Sequence, residues 1–280
     1  MRTIHTDMIA DAVRNLCIEA NTFLGDDVLG ALCRAKEKET SLVGKEILEK
    51  LVENADIAAH EQIPVCQDTG MAVFFVRIGQ EVRLEGGLLT DAINEGVRRG
   101  YTEGYLRKSV VADPIRRGNT GDNTPAVIHY DIVEGDKLEI TIAPKGFGSE
   151  NMSALKMLKP AEGLDGVKDF ILDTVLKAGS NPCPPIVVGV GIGGTVEKCA
   201  QLAKHALTRE VGGHHPDPYY ADLEQELLEK INHTGIGPQG FGGKTTALAV
   251  HIETFPTHIA GLPCVVNINC HVTRHKTVVL

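Results

Sequence analysis

The sequence predicts an α/β protein in which mixed sheets are flanked by helices, built as one large domain or as two α/β lobes around a central site. Three observations carry that expectation. Stretches with helical three- and four-residue apolar spacing alternate with short runs rich in Val, Ile and Phe. Glycine is abundant, at 30 of 280 residues, and much of it follows the strand-like runs. The chain is 42% hydrophobic but only 4% aromatic and has no Trp, so aliphatic side chains must fill a core large enough to need no disulfide staples.

In order along the chain, residues 3–35 read as helices, with Ile9, Val13, Leu16, Cys17 and Ala20 on one face. Thr40–Asn54 reads as another helix, its face set by Val43, Ile47 and Leu51. Glu61–Gly70 is a loop bounded by Pro and Gly that contains Cys66. Met71–Ile78 is a strand and Leu89–Tyr105 a helix. Ala126–Val133 and Lys137–Ile142 alternate around Glu134-Gly135-Asp136, the pattern of a β-hairpin. Lys145–Asn151 is a loop expected to lead into a helix capped by Ser149 or Asn151. Val167–Ala178 is helical. Asn181-Pro182-Cys183-Pro184-Pro185 cannot be, because proline fixes φ and removes donors. Ile186–Val190 is a buried strand, Thr195–Thr208 a helix, Gly212–Tyr220 a loop and Ala221–His233 a helix. A second glycine-rich loop, Gly235–Gly243, precedes strand-like Ala247–Ile252 and Cys264–Asn269.

A net charge of −9 with no basic stripe argues against nucleic acid as a partner. A local arginine cluster could still bind a small anion. The amphipathic N-terminus contains acids and resembles no leader, and no apolar run approaches the length of a membrane span, so a cytoplasmic protein is expected. Seven cysteines without a Cys-x-x-Cys pair do not form a disulfide framework.

Three near-motifs lead nowhere. Gly189–Gly194 fits G-x-G-x-x-G, but the helix after it runs into Glu210–Pro216 rather than a second strand, so the glycines are assigned to a tight turn and close helix packing. In Gly237–Thr245 the phosphate-loop pattern requires glycine at 238, where Pro238 stands. His271-x-x-x-His275 would pair two zinc ligands only on a helix, and its surroundings are not helical.

The cysteines separate by context. Cys17, Cys33 and Cys199 lie on apolar helical faces and read as small buried hydrophobes. Cys264 and Cys270, if joined by a strand, are about 20 Å apart and cannot ligate one small cluster together. Cys66, Cys183 and Cys270 remain, each in a loop or at a strand end, where a thiolate can be presented stiffly. Their separations match no local metal motif, so from the residues alone a metal site and a structural role both stay open.

Ile63-Pro64-Val65-Cys66-Gln67-Asp68-Thr69-Gly70 resembles the signature of the iron–sulfur (class I) fumarate hydratases and L-tartrate dehydratases. The resemblance continues through Gly104–Arg107, Asp122–Ala126, the Lys145–Asn151 loop, Asn181–Pro185, Pro256–Ala260 and Asn267–His271. It is to the α subunit, or N-terminal half, of that family. It implies a [4Fe–4S] cluster with three Cys ligands, Cys66, Cys183 and Cys270, and one open iron that acts as a Lewis acid on the substrate hydroxyl. It implies substrate binding by Gln67, Arg107 and the Gly148 N–H, with Asp68 and His258 in catalytic positions, Asp68 as an orienter rather than the base. The implied partners are a small dicarboxylate and a β subunit that carries the general base, in an oligomeric assembly. Reversible dehydration of (S)-malate to fumarate is the leading expectation and L-tartrate dehydration the alternative. A cluster-carrying redox or sensing protein and a zinc hydrolase are the competing classes.

Overall fold

A computed structural model describes residues 2–280. In chain order its elements are β1 (Arg2–His5), α1 (Thr6–Thr22), α2 (Asp26–Lys38), α3 (Leu42–Glu61), β2 (Met71–Gly79), β3 (Val82–Glu85), α4 (Leu89–Glu103), β4 (Val127–Val133), β5 (Leu138–Lys145), α5 (Phe147–Glu150), β6 (Ala154–Leu158), α6 (Gly163–Ala178), β7 (Ile186–Gly193), α7 (Val196–Ala206), α8 (Pro218–Asn232), β8 (Ala247–Phe255), β9 (Leu262–Asn269) and β10 (Lys276–Val279). The chain is α/β, with mixed sheets and flanking helices. It divides into two compact units. The first comprises residues up to Leu24, Ala55–Phe147 and Arg274–Leu280; the second comprises Gly25–Asn54 and Gly148–Thr273.

The first unit is built on a four-stranded sheet of order β10-β5-β2-β4. β2 is central because its run of buried residues needs cover and pairing on both sides. α1 and α4 present Ile9, Val13, Ile93 and Val97 to Phe74 and Ile140, all fully buried. Each such side chain contributes about 1.5–3 kcal/mol by leaving water. The expected hairpin is not formed. β4 pairs parallel with β2, while β5 pairs antiparallel with its other edge. The alternation specifies strands but not partners, and here the connecting residues cross the end of β2. Gly79 N–H donates to the Lys137 carbonyl at 2.8 Å and Gln80 N–H to the Val133 carbonyl at 2.8 Å.

The second unit has a sheet of order β6-β9-β7-β8. β9 is antiparallel to β6 and β7, and β8 is parallel to β7. Ile171 and Val175 of α6 and Leu227 and Ile231 of α8 pack with Val188, Val190, Ile252 and Val266 of the sheet. A Cβ at Gly189 or Gly191 would overlap the carbonyl oxygens of Ala203 and Cys199 on α7. The glycine run is therefore a helix-packing surface; the crossover that the sequence leaves without a second strand is closed later, by β8, which follows α7 and α8 and pairs parallel with β7.

Several expectations are corrected. Residues 3–35 begin with strand β1, and the helices break at Phe23–Gly25. α3 continues to Glu61, and its buried stripe is Gly44, Leu48, Ala55 and Ala58 rather than Val43, Ile47 and Leu51. The 145–151 loop yields one helical turn, α5, and then strand β6, so Ser149 lies inside the turn and caps no following helix. Cys33 is only half-buried. No helix among the described residues is long and apolar enough to cross a membrane.

The near phosphate loop has a specific occupant. Glu39, 1% exposed, accepts from the N–H groups of Thr40 at 2.8 Å, Ser41 at 3.0 Å, Lys244 at 2.8 Å and Thr245 at 3.0 Å. The chain's own carboxylate thus takes the anion position that the glycine-rich turn creates. Burial works against its charge, but the backbone donors of Ser41, Lys244, Thr40 and Thr245 outweigh that and hold the carboxyl below its ordinary value.

Candidate functional site

Cys66 lies in the first unit, half-buried, five residues before β2. Its loop is tied down at Asp68, Thr69 and Gly70. Asp68 N–H donates to Cys66 Sγ at 3.4 Å. The Asp68 carboxylate accepts from Gly70 N–H at 3.1 Å and from Phe147 N–H at 2.9 Å. Its carbonyl accepts from Arg274 Nη2. Tyr101, 1% exposed, donates from its hydroxyl towards the Thr69 and Gly70 carbonyls at 2.9 and 3.1 Å; burial pushes its phenol above the ordinary range. Asn123 reaches the Gly70 carbonyl at 3.2 Å, and its own carbonyl accepts from Ser109 N–H at 2.7 Å. Gly70 has φ +71°, and a Cβ there would lie 2.5 Å from the Lys145 backbone. Only glycine satisfies both constraints.

Thr69 links this loop to Arg107. Its hydroxyl accepts from Arg107 N–H at 3.0 Å and donates to the Arg107 carbonyl at 3.3 Å. The Arg107 side chain is exposed, as is that of Gln67. Cys66, Asp68 and Arg107 thus share one hydrogen-bonded platform within the first unit, with Gln67 between Cys66 and Asp68 in the chain. Asp68 has both carboxylate oxygens engaged by backbone donors, which suits a loop organiser and leaves it poorly placed as a free base.

In the second unit Cys183 and Cys270 come to one end of the sheet. Val187 and Asn269 are register partners, so the loop before β7 and the turn after β9 are neighbours. The Cys183 carbonyl accepts from His271 N–H at 3.4 Å and lies 3.1 Å from His271 Nδ1. Gln239 donates to the Pro184 carbonyl from its backbone at 2.8 Å and from its side chain at 2.7 Å. Cys183 itself is exposed at φ +56°, a left-handed conformation that its neighbours impose. Gly148, exposed, faces open space where a Cβ would stand. The turn that carries Gly148 is fixed through Glu150, which pairs with Lys204 and accepts from Asn267 Nδ2 at 2.8 Å. Asn267 precedes Cys270 on β9, so Gly148 belongs to the cysteine end.

His258 does not. It sits in the connection before β9, where Ala260 N–H donates to its Nδ1 at 3.2 Å and fixes Nε2 as the protonated nitrogen. Thr257 anchors that connection to the Gly194 carbonyl at 3.0 Å. The eight residues of β9 separate it from Cys270, roughly 25 Å at the rise of a strand.

Three of the four remaining thiols contrast with these in burial. Cys17, Cys199 and Cys264 are fully buried, and burial pushes Cys199 to about 11, Cys264 to about 12 and Cys17 higher still. Burial thus disfavours their thiolate forms. Among the described residues no three His, Cys, Asp or Glu side chains gather into a group that could hold a single metal ion. The donor chemistry fits an iron–sulfur cluster all the same: Cys66, Cys183 and Cys270 are the thiols that are both accessible and outside helices, whereas half-buried Cys33 lies on α2. The feature that sequence reading missed is Arg274, a guanidinium 5% exposed whose Nε and Nη1 have no hydrogen-bond partner. No local pattern around it betrays that burial.

Comparison with known proteins agrees along the whole chain. A family model described as fumarate hydratase (Fumerase) matches residues 10–279. A Methanocaldococcus jannaschii protein named "Putative L(+)-tartrate dehydratase subunit alpha" is 46% identical over 271 residues, covering 95% of each chain. The "L(+)-tartrate dehydratase subunit alpha" of Escherichia coli K12 is 34% identical over 275 residues, covering 97% of this chain and 90% of that one. The chain belongs, as an α subunit, to the iron–sulfur-dependent (class I) fumarate hydratase and L-tartrate dehydratase family.

Proposed function

We propose that this chain is the α subunit of an L(+)-tartrate dehydratase and that Cys66, Cys183 and Cys270 hold its [4Fe–4S] cluster. The observation that carries the cluster reading is the split among the cysteines. Three thiols are sealed in the core with raised pKa values and half-buried Cys33 lies on helix α2, whereas Cys66, Cys183 and Cys270 are half-buried or exposed on loops and at a strand end. Tartrate takes precedence over malate because the relatives that match nearly full length bear the tartrate name. This reverses the order implied by the resemblance. The second reading, (S)-malate to fumarate, is supported by the family model's description.

The reaction removes a hydroxyl and the proton on the adjacent carbon as water, giving oxaloacetate through its enol. A cluster held by Cys66, Cys183 and Cys270 would leave one iron without a protein ligand and would supply Lewis acidity to the substrate C–OH group. The chain's own residues bind and orient. The Arg107 guanidinium suits a carboxylate by paired hydrogen bonds. The Gln67 amide offers both donor and acceptor to the second carboxylate or a hydroxyl. Gly148 presents a backbone N–H without a side chain in the way. Asp68 keeps the Cys66 loop in shape through Gly70 and Phe147. His258 reaches a cysteine site from a second copy of the chain in this reading, because its own β9 holds it away from Cys270. The general base is assigned to the β subunit that the relatives' names imply.

The test is anaerobic co-purification with the cognate β subunit, followed by assay on L(+)-tartrate and (S)-malate. Oxaloacetate from tartrate, with a kcat/KM at least tenfold above that for malate, is the expected result. Turnover of malate alone would give the second reading, and turnover of neither would overturn both.

A further inference from the structure

Arg274 is a charged side chain in the wrong place unless something else arrives. It lies in the first unit, where its Nη2 donates to the Asp68 carbonyl. Its Nε and Nη1 are closed to solvent and find no acceptor, and no ion pair joins it to a carboxylate among the described residues. A guanidinium cannot shed its proton to escape burial. Buried cations are tolerated when an anion compensates them. The anchor of Arg274 identifies where that anion is expected: Asp68 stands two residues from Cys66 and donates its own N–H to Cys66 Sγ at 3.4 Å.

We propose that Arg274 is a positioning residue whose fixed positive charge compensates the negative charge of the thiolate-bound cluster carried on the Cys66 loop. This rests on the cluster reading above. A diffusing dicarboxylate is the weaker choice of anion, since the two orphan nitrogens are closed to solvent. A guanidinium field in a poorly solvated interior acts on the cluster without contact. Positive charge nearby stabilises the more negative, reduced state and so raises the reduction potential, as hydrogen bonds to the sulfurs do.

The experiment compares the anaerobically purified wild-type αβ complex with R274Q and R274K. Iron and sulfide content and the cluster midpoint potential, from an EPR-monitored redox titration, are the readouts. R274Q is expected to hold a cluster whose potential moves to more negative values, and R274K to restore most of the shift because it restores the charge. If R274Q keeps the wild-type potential at wild-type iron content, or if R274K shifts as far as R274Q, the inference is overturned. If R274Q holds no cluster, R274K decides: a cluster at the wild-type potential supports the inference, and no cluster in either variant overturns it in favour of a purely structural role. A wild-type complex without a cluster overturns the functional reading as well; a wild-type cluster with an unmoved potential in R274Q overturns this one alone.

Discussion

Replacing Glu39 with glutamine should loosen the second unit and, through it, the Cys183 loop. The carboxylate accepts four backbone N–H groups while 1% exposed. Hydrogen bonds to a charged acceptor contribute roughly 1.5–3 kcal/mol each, and a buried donor left unpaired costs about 1–3 kcal/mol. Glutamine keeps one carbonyl oxygen but turns an NH₂ group towards donors that need an acceptor. At least one or two donors are then orphaned, which gives a loss of about 3 kcal/mol once non-additivity is allowed for. In a unit of this size that corresponds to a fall in Tm of roughly 6–12 °C. The acceptor holds Lys244 and Thr245, and the same loop contributes Gln239, which grips Pro184 beside Cys183. Thermal unfolding followed by circular dichroism reads the first effect, and cluster retention after gel filtration reads the second. The pH dependence adds a signed test. The Glu39 carboxyl is held low in the folded state, so its contribution is present above the unfolded carboxylate pKa of about 4.3 and is lost as pH falls through the lower folded value. The variant should lack that acid-labile component. A Tm within about 1 °C of wild type, with an unchanged acid profile, would refute the reasoning.

Three further outcomes are expected. Gly70→Ala should abolish soluble, cluster-binding protein, because strain at φ +71° adds to an overlap with the Lys145 backbone; a cost above about 3 kcal/mol follows, and a normal yield with normal Tm would contradict it. Tyr101→Phe removes the donor to the Thr69 and Gly70 carbonyls and should cost about 1–3 kcal/mol in denaturant unfolding, with slower cluster reconstitution. His258→Ala and Cys270→Ser, each inactive alone, should regain partial activity when co-expressed with the β subunit if His258 acts from a second copy; no recovery in verified mixed assemblies would place its role elsewhere.

Much of this was legible in the residues. The α/β class, the placement of Cys264 inside a strand and of Cys270 just beyond it, and the packing use of Gly189 and Gly191 all follow from local pattern, because periodicity and proline report backbone geometry directly. The partner of a strand is not local. Residues 126–142 alternate as a hairpin does, yet β4 and β5 flank β2, whose buried run requires two neighbours. The α3 stripe is displaced from Val43, Ile47 and Leu51 to Leu48, Ala55 and Ala58, because the helix runs a further two turns and its burial follows that length. β6 was hidden by Leu155, Lys156 and Met157, which are good helix formers held in a strand by pairing with Val265, Cys264 and Pro263. Glu39 and Arg274 were invisible for a shared reason. The groups that define their environments stand about 200 residues away in sequence, on Lys244–Thr245 and on Asp68. The loop around Cys66 was recognisable as a motif, but its hydrogen bonds to Tyr101, Asn123 and Arg274 exist only in the fold.

The central claim is that three particular thiols, and not their buried neighbours, hold the cluster. Iron and acid-labile sulfide analysis of anaerobically reconstituted C66S, C183S, C270S and C264S tests it most directly. The account predicts about four iron and four sulfide in the wild type and in C264S, with loss of the cluster and of its EPR signal in the other three. Retention of the cluster in C270S together with its loss in C264S would contradict it.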